Sequence, residues 1–332
     1  MKAVQVSTLN GLKKLYLSEV PRCNIMEQSS VLIKTISIGV NRMDIMQREG
    51  RYPVPQGASQ ILGVEASGYV QESTSEKFKI GDKVMTLVSG GAYSEYIVAP
   101  DCHCMKIPEG ISFNEAASIP ENWLTSYQLL NFIAKIKSGD SVLIHAAASG
   151  IGCAAIQLCK FANAREIIAT SRSQSKLDMC KSLGATHCIT ISDSNNFSKM
   201  ILDATQGRGV DILLDPIGSS YFKENISCCA LDARWVLYGM MGGSNTTINL
   251  AQLFSKRISF HTTTLRSRSF SYRTSLIRHF SENCLNQFQD GSFKAVVDQV
   301  FSWQFAQDAH SYMEKNSNIG KIILKTGSFS EN

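Results

Sequence analysis

Short apolar runs broken by turn residues fill the first third of the chain. Residues 31–37 form a β-rich run, and residues 61–70 carry two glycines, Gly63 and Gly68, as strands at a barrel corner often do. Lys79-Ile80-Gly81-Asp82-Lys83-Val84 reads as a turn feeding a strand, and residues 93–98 as another strand. This spacing predicts an irregular antiparallel barrel. After Pro120 the period lengthens. Residues 121–136 have helical periodicity, which Ser138-Gly139-Asp140 stops. Strands are then predicted at 141–145, 167–170, 188–191, 210–215, 235–239 and 258–261, and helices at about 151–161, 175–183, 196–205 and 221–230. Strand and helix in alternation imply a parallel sheet with right-handed crossovers. The tail from about Arg273 reads as helix and closes in a strand at 320–325. The predicted fold class is therefore α/β, a doubly wound parallel sheet plus a β-barrel. No internal repeat or low-complexity segment interrupts the pattern.

Composition narrows the picture. At 332 residues the chain is about twice a typical domain of roughly 150, so two domains are expected. The formal charge of +5 is spread without a run of five like charges, which argues against a nucleic-acid arm or a polybasic membrane anchor. Residues 141–159 contain no charged residue apart from His145, yet two glycines, two serines and a glutamine argue against a membrane span. The N-terminus reads as a strand and not as a signal peptide, so the ten cysteines point to free thiols in a reducing cytoplasm.

The candidate chemistry begins at Ala146-Ala147-Ala148-Ser149-Gly150-Ile151-Gly152, which follows a strand and opens a helix. Small residues let the backbone approach a pyrophosphate, and the helix N-terminus offers N–H groups and a positive dipole end. Alanine replaces the first glycine of G-x-G-x-x-G, and a plain tight turn is the alternative. At the end of the next strand stand Thr170-Ser171-Arg172-Ser173, with Lys176 beyond. A guanidinium, hydroxyls and an ammonium suit a 2′-phosphate, so NADPH is the expected dinucleotide; a solvated basic turn is the alternative. Glu166 is near the distance expected of a ribose-binding carboxylate, but it begins its strand instead of ending it.

With these strings in view the chain resembles the zinc-independent quinone oxidoreductases of the medium-chain dehydrogenase/reductase superfamily. Within that group it is most similar to the tumour-suppressor-inducible subgroup. The resemblance rests on residues 41–52, 61–68, 119–125, 142–158, 234–239, 265–268 and 318–322, in family order over nearly the whole chain. It implies a GroES-like catalytic domain at 1–120 and 262–332, a Rossmann domain at 121–261, and a cleft between them. By that analogy Asn41 and Tyr52 line the substrate side. Thr125 and the Gly239 segment flank the cofactor, and Leu265, Arg266, Ser267 and Asn318 close over it. Ala148 to Gly152 hold the pyrophosphate, and Ser171, Arg172, Ser173 and Lys176 the 2′-phosphate. One departure is Thr190-Ile191, where relatives commonly show Asn-Tyr, and this weakens the enclosure of the adenosine phosphate. A homodimer through the Rossmann domain is the family expectation.

Zinc members of the superfamily place Cys at the Asn41 position and His at the Val64 position, and an amide and an isopropyl group do not replace them. Cys102-His103-Cys104, read as a strand, puts two sulfurs on one face without a partner pair. No G-x-S-x-G elbow supports a hydrolase. The expected activity is metal-free reduction of a quinone by NADPH, the cofactor carrying the chemistry. A zinc-free enoyl or enone reductase, with Tyr52 as proton donor, is the rival enzyme. An NADPH-binding structural or RNA-binding protein is the non-enzymatic rival, and the late basic residues, Lys256 to Arg278, are its only support.

Overall fold

The computed structural model describes residues 1–9, 12–191 and 196–327. The chain divides into two compact units. One comprises Met1–Leu124 and Arg266–Asn332, the other Thr125–Leu265.

The first unit is built on β3 (Ser30–Val40), whose buried run pairs on one side with β4 (Glu65–Ser73). Its other side is shared between β6 (Tyr96–Pro100) at the start and β15 (Lys321–Lys325) at the end. β4 continues to β5 (Lys83–Leu87) and β7 (Cys104–Lys106), and β15 pairs in parallel with β14 (Val297–Ser302). β1 (Lys2–Leu9) and β2 (Leu12–Glu19) form a separate hairpin. The resulting core gathers Ile33, Ile38, Val40, Tyr93, Ile322 and Leu324, all at most 1% exposed. A second aromatic group packs Trp123 between Phe288 and Phe293, at centroid distances of 4.6 and 4.7 Å.

The second unit holds a six-stranded parallel sheet in the order β10, β9, β8, β11, β12, β13. These strands are β8 (Ser141–Ile144), β9 (Glu166–Ser171), β10 (His187–Thr190), β11 (Val210–Asp215), β12 (Cys229–Leu237) and β13 (Ser259–Thr262). The central strands are near-continuous apolar runs because helices cover both faces. Order reverses between β8 and β11, which opens a crevice at their carboxyl ends. Asp215 ends β11 there and is fully buried. Its carboxylate accepts from the Ile217 and Gly218 N–H groups, Asn225 Nδ2 and Trp235 Nε1, at 2.7 to 3.1 Å. Asn225 Oδ1 in turn lies 2.7 Å from His145 Nε2, and Thr170 Oγ1 lies 2.8 Å from Nδ1. His145, the residue after β8, is thereby a buried structural group.

Several local expectations are corrected. The strand expected from 61 begins at Glu65, because Gly63 turns the chain with φ +89°. Residues 102–104 are not a strand: Asp101–His103 is a 3-10 turn, and β7 begins only at Cys104. The shared face assumed for Cys102 and Cys104 therefore does not exist. The helix expected at 221–230 ends at Cys228, and β12 starts at once with Cys229, six residues earlier than the strand expected at 235. Helical periodicity after 120 breaks at Tyr127 into a wider π-helical turn, Gln128–Ile133. The tail helix, Phe270–Cys284, starts three residues before Arg273. All ten cysteines are free, and seven are buried, so packing accounts for most of them. No helix among the described residues is long and apolar enough to cross a membrane.

Replacing Asp215 by Ala strips four donors of their common buried acceptor. A loss of about 3 kcal/mol is expected, read as a lower urea midpoint; an unchanged midpoint would contradict the role assigned to Asp215.

Candidate functional site

In the parallel-sheet unit the loop after β8 passes through Ala146, with φ +49°, into the helix Gly150–Phe161. Ser149 caps that helix, its Oγ accepting from Gly152 N at 3.1 Å. Gly152 is forced by close approach: a Cβ there would lie 2.3 Å from Ala147 O. Ser126 Oγ donates to Ile151 O at 2.8 Å and holds the first turn from outside. Ala148, Ser149, Gly150, Ile151 and Gly152 thus form a tight small-residue loop whose helix end presents N–H groups to an anion.

The other expected dinucleotide residues of this unit follow carboxyl ends of strands as well. Ser171 closes β9, Arg172 is exposed just beyond it, and Ser173 precedes the helix Gln174–Leu183, which carries half-buried Lys176. Gly239 follows β12, and Leu265 follows β13 and is buried. Thr125 is buried in the helix Pro120–Tyr127. Glu166 stands at the opposite, amino edge of β9, where it accepts from Arg208 at 2.9 Å and pairs with Ser141. At about 3.3 Å per residue it lies some 17 Å from the strand's far end. Ile191 packs into the core with Ile189 and Phe197, so the place where relatives commonly carry an aromatic ring is filled by a core side chain.

In the other unit the residues around Asn41 form a buried charged network. Lys321, the first residue of β15, is 3% exposed and ion-paired with fully buried Glu65, the first residue of β4. Lys321 Nζ donates to Asn41 Oδ1 at 2.6 Å and to Asn122 Oδ1 at 3.4 Å. Asn41 Nδ2 donates to Glu65 Oε1 at 2.9 Å, and the Glu121 N–H donates to Glu65 Oε2 at 2.8 Å. Gly39 makes room: a Cβ there would lie 2.3 Å from Glu65 Oε1. Asp44, also fully buried, accepts from Asn41 N at 2.8 Å, Gly63 N at 3.2 Å and Tyr93 OH at 3.3 Å. Tyr93 OH reaches His310 Nε2 at 3.0 Å.

Burial dominates the titration of these groups. It raises Asp44 to about 6, against the opposing pull of the Asn41 N–H and Lys321. It raises Glu121 to about 7, and the Glu65 charge adds to the effect. Tyr52, raised first by burial and then by Glu121, stays a neutral phenol at neutral pH. His310 is lowered to about 3 and is neutral.

Tyr52 lies beside Arg266, whose guanidinium carbon is 5.6 Å from the phenol ring centroid. Arg266 is 4% exposed; Nε donates to Ser89 O at 2.8 Å and Nη1 to Gln47 Oε1 at 2.8 Å. It is an anchor of this unit, beside Tyr52. Ser267 is exposed, and Asn318 Nδ2 donates back to Gly320 O at 2.9 Å within its own turn. The structure therefore gathers Asn41, Tyr52 and Arg266 in one unit and the phosphate-loop residues in the other. Sequence reasoning missed Glu65, Glu121, Asn122 and Lys321. All four lie inside segments that carry the resemblance, 61–68, 119–125 and 318–322, without any signal in the sequence that they meet. Among the described residues no group of three or more His, Cys, Asp or Glu is placed to hold a metal ion.

Two family models match, "Alcohol dehydrogenase GroES-like domain" over residues 27–109 and "Zinc-binding dehydrogenase" over residues 150–282. The chain belongs to the medium-chain dehydrogenase/reductase superfamily, a class of oxidoreductases. Among similar proteins is the zebrafish (Danio rerio) synaptic vesicle membrane protein VAT-1 homolog, 28% identical over 98% of this chain and 70% of its own length. A quinone oxidoreductase of Pseudomonas aeruginosa is 29% identical over 89% of this chain and 90% of its own. The crystal structure of CurK enoyl reductase superposes with a TM-score of 0.85 at 27% identity, covering 98% of this chain and 99% of that one.

Two outcomes follow from the buried network. Lys321→Met leaves the Glu65 carboxylate unpaired and is expected to cost about 3–5 kcal/mol in urea unfolding; adding Glu65→Gln should restore at least half. Glu121 releases its proton near 4.5 when unfolded and near 7 when folded, so the folded state binds more protons between those values. Stability therefore falls as pH rises through that window. Glu121→Gln should make this fall shallower, leaving the part that raised Asp44 contributes up to about pH 6, and be more stable than the parent at pH 8 by up to about 3 kcal/mol. Parallel pH profiles of the two proteins would expose the error.

Proposed function

We propose that the protein is an NADPH-dependent quinone reductase that works without a metal. The observation that carries the reading is the pairing of a tight phosphate loop with hydroxyls and basic side chains after β9 and no carboxylate at that strand's end. Gly152 supplies the fit for a pyrophosphate, since the Cβ it lacks would fill the cradle. Ser149 and the first turn of its helix would hold the pyrophosphate, and Ser171, Arg172, Ser173 and Lys176 the 2′-phosphate. NADPH supplies a hydride donor when bound.

The residues of the other unit then have positional roles. Tyr52, neutral at neutral pH, donates a hydrogen bond to a substrate carbonyl, and Arg266 holds its ring. Asn41 has both amide atoms committed to Glu65 and Lys321, so it fixes the floor of the site. Glu121 keeps a proton available up to about pH 7. Quinones accept electrons readily, so the chain needs neither a strong acid nor a Lewis acid. The donor set does not fit zinc, because the Lys321 ammonium stands 2.6 Å from Asn41 Oδ1 and Val64 offers only an isopropyl group. Similarity to quinone oxidoreductases supports the substrate class.

Enone reduction is the second reading, favoured by the likeness to an enoyl reductase and by Tyr52 as a proton donor. A steady-state panel of NADPH and NADH against ortho-quinones, para-quinones and enones separates the two. Arg172→Ala with Lys176→Ala should weaken NADPH by about 1–3 kcal/mol and leave NADH nearly unchanged. Equal losses for both cofactors would overturn the 2′-phosphate assignment. Turnover should survive EDTA; loss that added zinc restores would overturn the metal-free reading.

A further inference from the structure

A cavity of about 300 Å³ lies wholly within the unit that holds Asn41 and Tyr52. This is the lower end of the range that small-molecule sites occupy, about 300–1,000 Å³. Its walls are mainly apolar, with Ile61, Val88, Ile97 and Phe270 among them, and its polar lining includes Ser59, Ser89, His103 and Arg273. No Asp or Glu lines it.

Arg273 is the one charged side chain in this lining. It sits in the first turn of the helix Phe270–Cys284 and donates through Nη1 to Ser89 Oγ at 2.7 Å. Its Nε is buried without a hydrogen-bond partner. Arg266, 4% exposed, has a second such atom: its Nη2 is buried and unpartnered. That Nη2 lies close to Gly90, a lining residue, since a Cβ on Gly90 would be 3.4 Å from it. Arg266 Nε meanwhile holds Ser89 O. Two guanidinium groups thus bracket the Ser89–Gly90 segment, each with a donor left over. An unpaired buried guanidinium donor costs free energy until an acceptor arrives, and a carboxylate accepts from such a group with strong, charge-assisted bonds. His103 does not compete as a cation, because burial and the Arg273 charge lower it to about 4. Glu121, the carboxyl whose charge acts on Arg273, holds its own proton to about pH 7.

We infer that this cavity binds a small monocarboxylate with an apolar body, the carboxylate meeting Arg273 and the body lying against Phe270 and Ile97. Through Ser89 and Arg266 the cavity adjoins Tyr52. Resting on the function proposed above, the inference extends to the substrate: an enone or quinone that carries a carboxylate on its distal end. The direction of preference is set by charge, since the walls offer a neutral ligand only apolar contact and a few hydroxyls.

Benzoate and its neutral isostere benzamide test the site directly, by titration calorimetry on the full chain. Benzoate should bind at least tenfold more tightly than benzamide. Arg273→Met should bring the two to parity, and Arg273→Lys, which keeps the charge, should retain most of the preference. Retention in the lysine variant shows that lost folding is not the cause in the methionine variant. No benzoate preference in the parent protein, or a full preference in Arg273→Met, would overturn the site. Turnover of 4-(4-carboxyphenyl)but-3-en-2-one against its primary amide tests the substrate step. The KM ratio of amide to acid should be tenfold or more in the parent and near one in Arg273→Met. Equal KM values beside an Arg273-dependent benzoate preference would overturn the substrate step alone. Arg273-dependent binding in a protein that reduces no enone or quinone would support the site and overturn the oxidoreductase function.

Discussion

The Lys321–Glu65 ion pair is the constraint on which the first unit, with its seven-stranded sheet, depends. Taking an ammonium and a carboxylate out of water costs several kcal/mol each, and the attraction between them offsets this only if the remaining lone pairs and protons find partners. Here they do. Glu65 accepts from Asn41 Nδ2 and the Glu121 N–H, while Lys321 reaches Asn41 and Asn122. The pair therefore ties the end of β3, the start of β4, the helix at Pro120 and the start of β15 to one point. Gly39 is glycine because the carboxylate occupies the space of its Cβ. Asp44 extends the same arrangement to Gly63 and Tyr93, so the helix after Asn41 is held at both ends of the network.

This arrangement gives the site its electrostatic character. A fixed ammonium and a fixed carboxylate neutralise each other, and the surrounding carboxyls, Asp44 and Glu121, are driven by burial toward their protonated forms. Around Tyr52 the Arg266 guanidinium faces an Asp44 that is mostly ionised near neutral pH and a Glu121 that is only partly so. On the function proposed above, such a site would orient a neutral carbonyl by hydrogen bonds and receive an anionic tail. The Lys321 ammonium at Asn41 Oδ1 is what supports the metal-free part of that proposal, since zinc ligands are thiolates, imidazoles and carboxylates.

The parallel-sheet unit solves a different problem with fewer polar groups. Its central strands are apolar through their length, so register is set by burial on both faces. Polar groups stand at both edges: Ser141, Glu166 and Asp211 at the amino edge and, at the carboxyl edge, Asp215, Asn225, His145 and Thr170 in a continuous hydrogen-bonded row that ends β11 and β8 at the crevice where order reverses. The small-residue loop lies on this same edge.

Much of this was legible along the chain. Hydrophobic period and turn residues located the parallel strands and the loop at 146–152, because those features arise from neighbours in sequence. The position of Glu166 at the wrong end of its strand could be read the same way, and the structure places it at the amino edge with Arg208. Other features resisted. Residues 102–104 alternate like a strand but turn, because Cys104 is the first residue that finds a partner in β5. The helix predicted over 221–230 includes Cys229, although its pairing with Val210 of β11 makes it the start of a nine-residue strand. Arg266 matched a family string, yet only the fold shows it buried beside Tyr52 and Ser89. Lys321 and Asn41 are 280 positions apart. Local physics determined the elements, while the meeting of Asn41, Glu65, Glu121 and Lys321 was decided by tertiary structure alone, since a buried charge finds its partner in space and leaves no period in the sequence.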